Sequence, residues 1–266
     1  MPRWEPGWRF ALSVAVAALV AALVLRRRAV VGAALRELAV AMGLWAAWVL
    51  IGTITHPQVA GAESRGRDVF RFERWLHLPS EVPLVKAAAD HPWLAHLVNN
   101  YYLYGHLNVV VVLLAWTWWR HRPSYPAVRA QLVLVSLCGL AMQLVTVAPP
   151  RLLPELGFVD VANSYGESIY GAYGSGLAGQ LMAMPSLHVG WAALVAWTVW
   201  RLGSGAWRWL GVVHLVVMTL VVVATANHWW LDGIVAVALL AVVVAAVERL
   251  PRQVPLPGLL RPRLQT

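Results

Sequence analysis

Cysteine is nearly absent from the 266-residue chain: Cys138 stands alone, inside an apolar run. An internal disulfide and a cysteine-based metal cluster are therefore excluded. Lysine is as scarce, with Lys86 alone and arginine making up the rest of the 21 basic residues. Charge as a whole is thin, at 12% of residues, where an ordinary soluble domain carries about 25%. No internal repeat and no soluble second domain interrupt the pattern. What fills the chain is hydrocarbon, with 60% hydrophobic residues. Many lie in runs near the ~20 apolar residues that a bilayer core requires. A soluble enzyme is excluded first.

The apolar runs place spans at roughly 10–25, 37–55, 101–119, 129–148, 187–202, 207–226 and 229–248. The expected fold is an all-α, polytopic transmembrane bundle of about six to seven spans, forming one integral membrane domain over 1–266. Arg3 and Arg9 precede the first run, Arg26-Arg27-Arg28 follow it, and no small-residue cleavage signature is present. It reads as a retained helix rather than a signal peptide. Residues 60–98 mix charge with apolar positions (Arg67, Phe70, Phe72, Arg74, Trp75, Leu76) and are broken by Pro79 and Pro83. They read as amphipathic interfacial helices. Residues 149–185 form a long loop rich in Gly and Tyr, and a loop of that length is usually functional.

The net charge of +9 does not point to nucleic acid, because the basic residues sit in short loops between spans. Thirteen of them, from Arg26 to Arg263, fall on one side against only Glu37 and Glu248. The positive-inside rule makes that side, with the C-terminus, cytoplasmic. The loop 149–185 and the amphipathic helices then face the extracytoplasmic side.

Three polar groups stand at helix mouths on that outer side: Arg151, His188, and His228 with Asp232. His228 and Asp232 are four residues apart and share one helix face. Ionisable groups inside an apolar span are expensive, which marks a functional site by default. The set suits phosphoryl transfer. His228 acts as nucleophile if its second ring nitrogen donates to Asp232. His188 protonates the leaving oxygen and later deprotonates the acceptor, and Arg151 offers a rigid fork of donors to phosphoryl oxygens. Pro185 and Ser186 open the helix of His188, so backbone N–H groups there can also face an anion.

Pro185-Ser-Leu-His188 and His228-x-x-x-Asp232 resemble the second and third signature motifs of the type 2 phosphatidic acid phosphatase (PAP2) superfamily. The run Ala148-Pro-Pro-Arg-Leu152, Gly157-Phe-Val-Asp160 and Met184-Pro-Ser-Leu-His-Val-Gly-Trp191 resembles its inositol phosphorylceramide synthase-like branch. So do Asn100-Tyr-Tyr102 and His106. The likeness covers roughly 30–245, within a core of about 30–248 whose catalytic segments are 148–191 and 225–233. It implies a membrane-embedded phosphatase or phosphotransferase working through a phosphohistidine, without metal or cofactor. The family's nucleophile, acid/base and aspartate fall on His228, His188 and Asp232. The expected partners are a lipid phosphate ester, water or a polar hydroxyl acceptor, and membrane lipids.

The chain departs from the broad superfamily at two places. Leu144 and Leu152 stand where a lysine and a proline are expected around Arg151, and Val221 and Val222 replace a Ser-Arg pair before His228. Two phosphate-binding cations are thus missing, which suits a less charged group such as a phosphodiester. Arg129 sits at the cytoplasmic end of its span and does not substitute.

Further candidates for substrate contact are His106 near the outer end of the third span, Asn227, and Asp160 and Glu167 in the loop. Tyr165, Tyr170 and Tyr173 suit a carbohydrate-like acceptor or an aromatic interface belt. His214 and His121 fall toward the cytoplasmic side and are set apart. Two other functions use the same residues. A haem- or metal-binding membrane protein would ligate through the histidines but has no need of Asp232 and Arg151. A transporter would spread its charges across the membrane thickness.

Overall fold

The structure, a computed structural model, describes residues 7–55, 61–167 and 180–249. Tyr170 and Tyr173 lie outside the described residues. The helices are α1 (Trp8–Val24), α2 (Ala29–Thr55), α3 (Ala62–Trp75), α4 (Val82–Asp90), α5 (Pro92–Asn100) and α6 (His106–Arg120), then α7 (Tyr125–Met142), the one-turn α8 (Val161–Ser164), α9 (Leu187–Leu202), α10 (Arg208–Ala224) and α11 (Trp230–Arg249). Strands are absent among the described residues, apart from one isolated pairing of Val147 with Met182.

Among the described residues, five helices are long and apolar enough to cross a membrane: α2, the continuous rod Pro92–Arg120, α7, Gly205–Ala224 and α11. This is an all-α membrane helical bundle. The first and fifth expected spans are helices too, but short ones of 17 and 16 residues. At 1.5 Å per residue α9 runs about 24 Å, less than a ~30 Å hydrocarbon core. The third span begins earlier than expected, because α5 continues through a π-helical turn at Tyr101–Gly105 into α6. That extension puts His106 midway along the rod rather than near its outer end.

Lipid is as apolar as leucine, so small residues that let backbones approach are what hold such helices together. Ala11, Ala15, Ala18 and Ala22 form the buried stripe of α1, which lies along α2. Arg129 on α7 bonds Glu37 on α2 at 2.6 Å, far from the candidate site. Below that site α6, α7, α9 and α11 share an apolar core that includes Leu113, Val135, Leu194 and Val243.

The described part of the loop after α7 is packed into the protein. Arg151, Leu153, Phe158 and Val161 are buried, two short 3-10 turns shape it, and α3 is pressed against it. Gly66 makes that approach possible: a Cβ there would meet the Ala148 carbonyl oxygen at 2.8 Å and Leu153 Cδ1 at 3.0 Å. The carbonyl is itself fixed by Trp229 Nε1 at 3.0 Å. Gly66→Ala is expected to cost about 1–3 kcal/mol through forced displacement. Unfolding in detergent checks it against Gly43→Ala, whose Cβ meets nothing within 4 Å. An equal response of the two variants would refute the close contact.

Candidate active site

Four segments meet where α9 and α11 begin. The 181–185 stretch is held by α7 and the residues after it: Val147 N–H donates to Leu181 at 2.8 Å, and Gln143 Nε2 donates to the Met182 and Pro185 carbonyls at 3.2 and 3.0 Å. Ser186 caps α9, its Oγ accepting from Val189 N–H at 3.4 Å and its own N–H donating to the Asp232 carbonyl at 3.1 Å. Its side chain and N–H are both committed to holding α9 against α11. α10 ends with Ala226 in the left-handed region (φ 55°), which turns the chain so that Asn227 and His228 N–H both reach the Val222 carbonyl. Val221 and Val222 are buried, so no cation approaches from the positions where the superfamily carries Ser-Arg.

His228 Nδ1 lies 2.8 Å from the Ala183 carbonyl and 3.2 Å from Asp232 Oδ2. Both partners are acceptors, so Nδ1 carries the proton and Nε2 keeps its lone pair. The expected Asp232 contact is present, but the carbonyl is the nearer acceptor. Asp232 Oδ2 also accepts from Trp229 N–H at 2.9 Å, which locks the carboxylate to the first turn of α11. The rings of His188 and His228 are 6.0 Å apart between centroids, and His188 stacks on Tyr102 at 4.2 Å.

Arg151 joins the same place. Its N–H donates to the Ala226 carbonyl at 3.0 Å, its Nε to Asn227 Oδ1 at 2.9 Å, and its charge acts on His228. Asn227 in turn donates to Thr225 Oγ1 at 3.0 Å, so it orients the guanidinium. Asp160 Oδ2 is 3.5 Å from Arg151 Nη1, while its Oδ1 caps α8 through Asn163 N–H at 3.0 Å. Gln180 Oε1 lies 3.3 Å from the same guanidinium. Tyr165 donates its hydroxyl to the Ala89 carbonyl at 2.7 Å, fastening the loop to α4. Glu167 is held by His96 and Asn99 at 2.6 and 2.7 Å. Arg151, His188 and the His228–Asp232 turn, drawn from three places in the sequence, lie together here.

A family model described as the PAP2 superfamily matches residues 67–246, about two thirds of the chain. The chain belongs to the PAP2 superfamily. No curated protein and no solved structure matches it. Membership in the PAP2 superfamily supports phosphatase or phosphotransferase chemistry on lipid phosphates in general. The match runs from within α3 through most of α11 and leaves α1 and α2 outside. Among the described residues of this PAP2 chain, no group of three or more His, Cys, Asp or Glu side chains is arranged to hold a metal ion.

Several polar residues beside the site were not expected there. His214 was set apart as too deep, yet its ring stacks parallel to His106 at 5.6 Å, and His106 lies 5.2 Å from His188. The reason is the length of the Pro92–Arg120 rod, which carries His106 inward. Tyr101 donates its hydroxyl toward His214 Nδ1 at 2.7 Å. Its ring folds over Gly105, where a Cβ would meet it at 2.8 Å. Neither ring nitrogen of His106 has a partner among the described residues, nor has His214 Nε2.

Glu73 and Glu81 are also fully buried. Glu73 was legible in one respect: it falls on the same face of α3 as Ala62 and Gly66, the buried stripe of that helix. Burial and the neighbouring Glu81 carboxyl push Glu73 up from 4.5 to about 9. The folded chain thus binds this proton more tightly than the unfolded one. The associated stability is fully present below about pH 4.5 and is lost as pH rises through about 9.

Proposed function

We propose that the protein is a lipid phosphotransferase that moves the phosphoryl or phospho-headgroup of a lipid phosphate ester to a hydroxyl acceptor through a phosphohistidine at His228. The observation that carries this reading is the pairing of the Nδ1–H of His228 with two acceptors, Ala183 and Asp232, beside the second imidazole of His188. His228 Nε2 attacks phosphorus, the bond to the leaving oxygen breaks, and His188 gives that oxygen its proton. In the second half His188 takes the proton of the acceptor hydroxyl, which attacks phosphorus and breaks the P–N bond. Asp232 and the Ala183 carbonyl stabilise the positive ring while it is phosphorylated. Arg151 holds the non-bridging oxygens as charge builds on them.

The missing cations at Leu144 and Val222 favour a phosphodiester donor, which brings one charge where a monoester brings up to two. That favours the inositol phosphorylceramide synthase-like branch over simple phosphatases, with inositol or a sugar as the acceptor class. By the positive-inside rule, the arginine-rich loops on the opposite end of the bundle favour an extracytoplasmic site. A single integral membrane domain, with the PAP2-like core at about 30–248, carries all of these parts.

His106 belongs to the acceptor side of this scheme. Its two unpartnered nitrogens suit a hydroxyl, which both donates and accepts. His106→Phe keeps the volume and removes two buried polar atoms, so thermal stability is expected to hold or rise. The acceptor KM is expected to rise about tenfold, the value of one lost hydrogen bond near 1.4 kcal/mol. A variant with unchanged acceptor KM would take His106 out of the site.

The test of the whole reading is an assay of phosphate release and headgroup transfer over a panel of phospholipids, with inositol and sugars as acceptors. Transfer to a polyol with release of a neutral lipid is the expected product pattern. Free inorganic phosphate as the sole product would leave a phosphatase in its place.

A further inference from the structure

Behind the site lies a second concentration of buried charge. Glu73 near the end of α3 and Glu81 just before α4 are both fully buried, and Arg74 Nη2 lies 3.4 Å from Glu81 and 3.8 Å from Glu73. Glu73 Oε1 accepts from the N–H of Leu231 at 2.6 Å. The Pro79 carbonyl, in the turn between the two glutamates, accepts from Trp230 Nε1 at 2.9 Å and from Arg74 Nη2 at 2.9 Å. The corner 73–81 therefore grips residues 230 and 231, which lie between His228 and Asp232 in the chain. Phe70 adds an aromatic contact to Trp229 at 6.0 Å.

The polar atoms left over have a pattern. Glu73 Oε2 and Glu81 Oε1 are buried with no hydrogen-bond partner among the described residues, and the two carboxyls converge on one nitrogen, Arg74 Nη2. Two ionised carboxylates there would repel and leave both oxygens bare. One proton between them satisfies both at once. We propose that Glu73 and Glu81 share a single proton at neutral pH, and that this acid pair is a positioning device holding the 228–232 turn in register for phosphoryl transfer. Its kinetic consequence rests on the phosphohistidine reading, whereas the shared proton does not.

The charged groups facing the pair are Arg74 from α3 and Asp232 from α11, with His228 beyond it. Arg74 balances the one ionised member of the pair. Loss of the shared proton adds a negative charge beside Asp232, at the point where Glu73 supports the Leu231 N–H. The raised affinity of Glu73 for its proton agrees with this arrangement.

Infrared spectra of the wild type, Glu73→Gln and Glu73→Ala in detergent micelles read the proton directly. The wild type is expected to show the carbonyl stretch of a buried carboxylic acid at neutral pH, fading as pH rises past about 9, and Glu73→Gln is expected to lack it. Phosphohistidine labelling of His228 by phosphoramidate, a small phosphoryl donor, reads the positioning. Glu73→Ala is expected to label about 10²-fold more slowly, the cost of misplacing a reacting group by about an ångström. Glu73→Gln, neutral and isosteric, is expected to restore most of the rate and to lose the alkaline fall seen in the wild type. The proposal is overturned by a wild type without the acid band, by a band that survives in Glu73→Gln, or by an unchanged alkaline fall in that variant. A wild type that shows the band but never labels overturns the phosphohistidine reading instead.

Discussion

His228→Ala is expected to eliminate the phosphoenzyme and to lower turnover by about five to six orders of magnitude, the scale seen when a nucleophile is removed from a concerted triad. The size follows from what the alanine takes away. In the proposed mechanism His228 Nε2 forms the covalent bond, and no other imidazole has its Nδ1 held by both a carbonyl and a carboxylate, among the described residues. His188, the nearest ring, stacks on Tyr102 instead. Residual catalysis comes from Arg151 and from bound geometry alone. Mass spectrometry for phosphohistidine and a turnover assay run with and without EDTA check the two halves of this expectation. His228, His188 and Arg151 together supply nucleophile, proton and anion binding, so the wild type is expected to remain active with the chelator. A His228→Ala enzyme at full activity, or complete loss in EDTA, would refute the mechanism.

Asp232→Asn is expected to lower kcat by about 10³-fold with little change in KM, a smaller loss than the ~10⁴-fold typical of a triad aspartate. The reduction comes from the second acceptor. An asparagine amide offers N–H to Nδ1 and so favours the proton on Nε2, which blocks attack on phosphorus. The Ala183 carbonyl, at 2.8 Å, opposes that tautomer and preserves a productive fraction. The carboxylate's other task is lost outright, since a neutral amide does not stabilise the positive ring of the phosphohistidine. Asn Oδ1 can still accept from Trp229 N–H, so the first turn of α11 is expected to keep its shape. Steady-state kinetics with circular dichroism separates these effects. Activity within tenfold of the wild type would show that the carbonyl alone orients the ring.

Much of the bundle was legible because its signals are local. Apolar runs and arginine loops mark each of the five candidate crossing helices among the described residues, the last two to within two residues, and the spacing from His228 to Asp232 is a one-turn relation that needs no tertiary knowledge. The convergence of Arg151 on that turn followed from counting helices. What the sequence did not disclose depends on lengths and on long-range pairs. The start of the Pro92–Arg120 rod was hidden by the charged segment before it, which shifted His106 outward and dismissed His214. The fourth span was carried to 148, whereas α7 stops at Met142 and the next residues pair with 181–183. No local pattern distinguishes Glu73 and Glu81 from ordinary charges of an interfacial helix, and only the folded chain shows that the side of α3 bearing Glu73 is covered by α11. The Ala183 carbonyl carries no side-chain signature at all.

The short α9 has a consequence for selectivity. His188 heads a helix of 16 residues that begins beside the midpoint of a 29-residue rod, so the reacting groups sit inward of the rod's end. In the proposed reaction a lipid ester and its acceptor must both reach that level. Arg151, His228 and Asp232 are buried there rather than open to bulk water. Under the proposed function, that depth would favour transfer over hydrolysis.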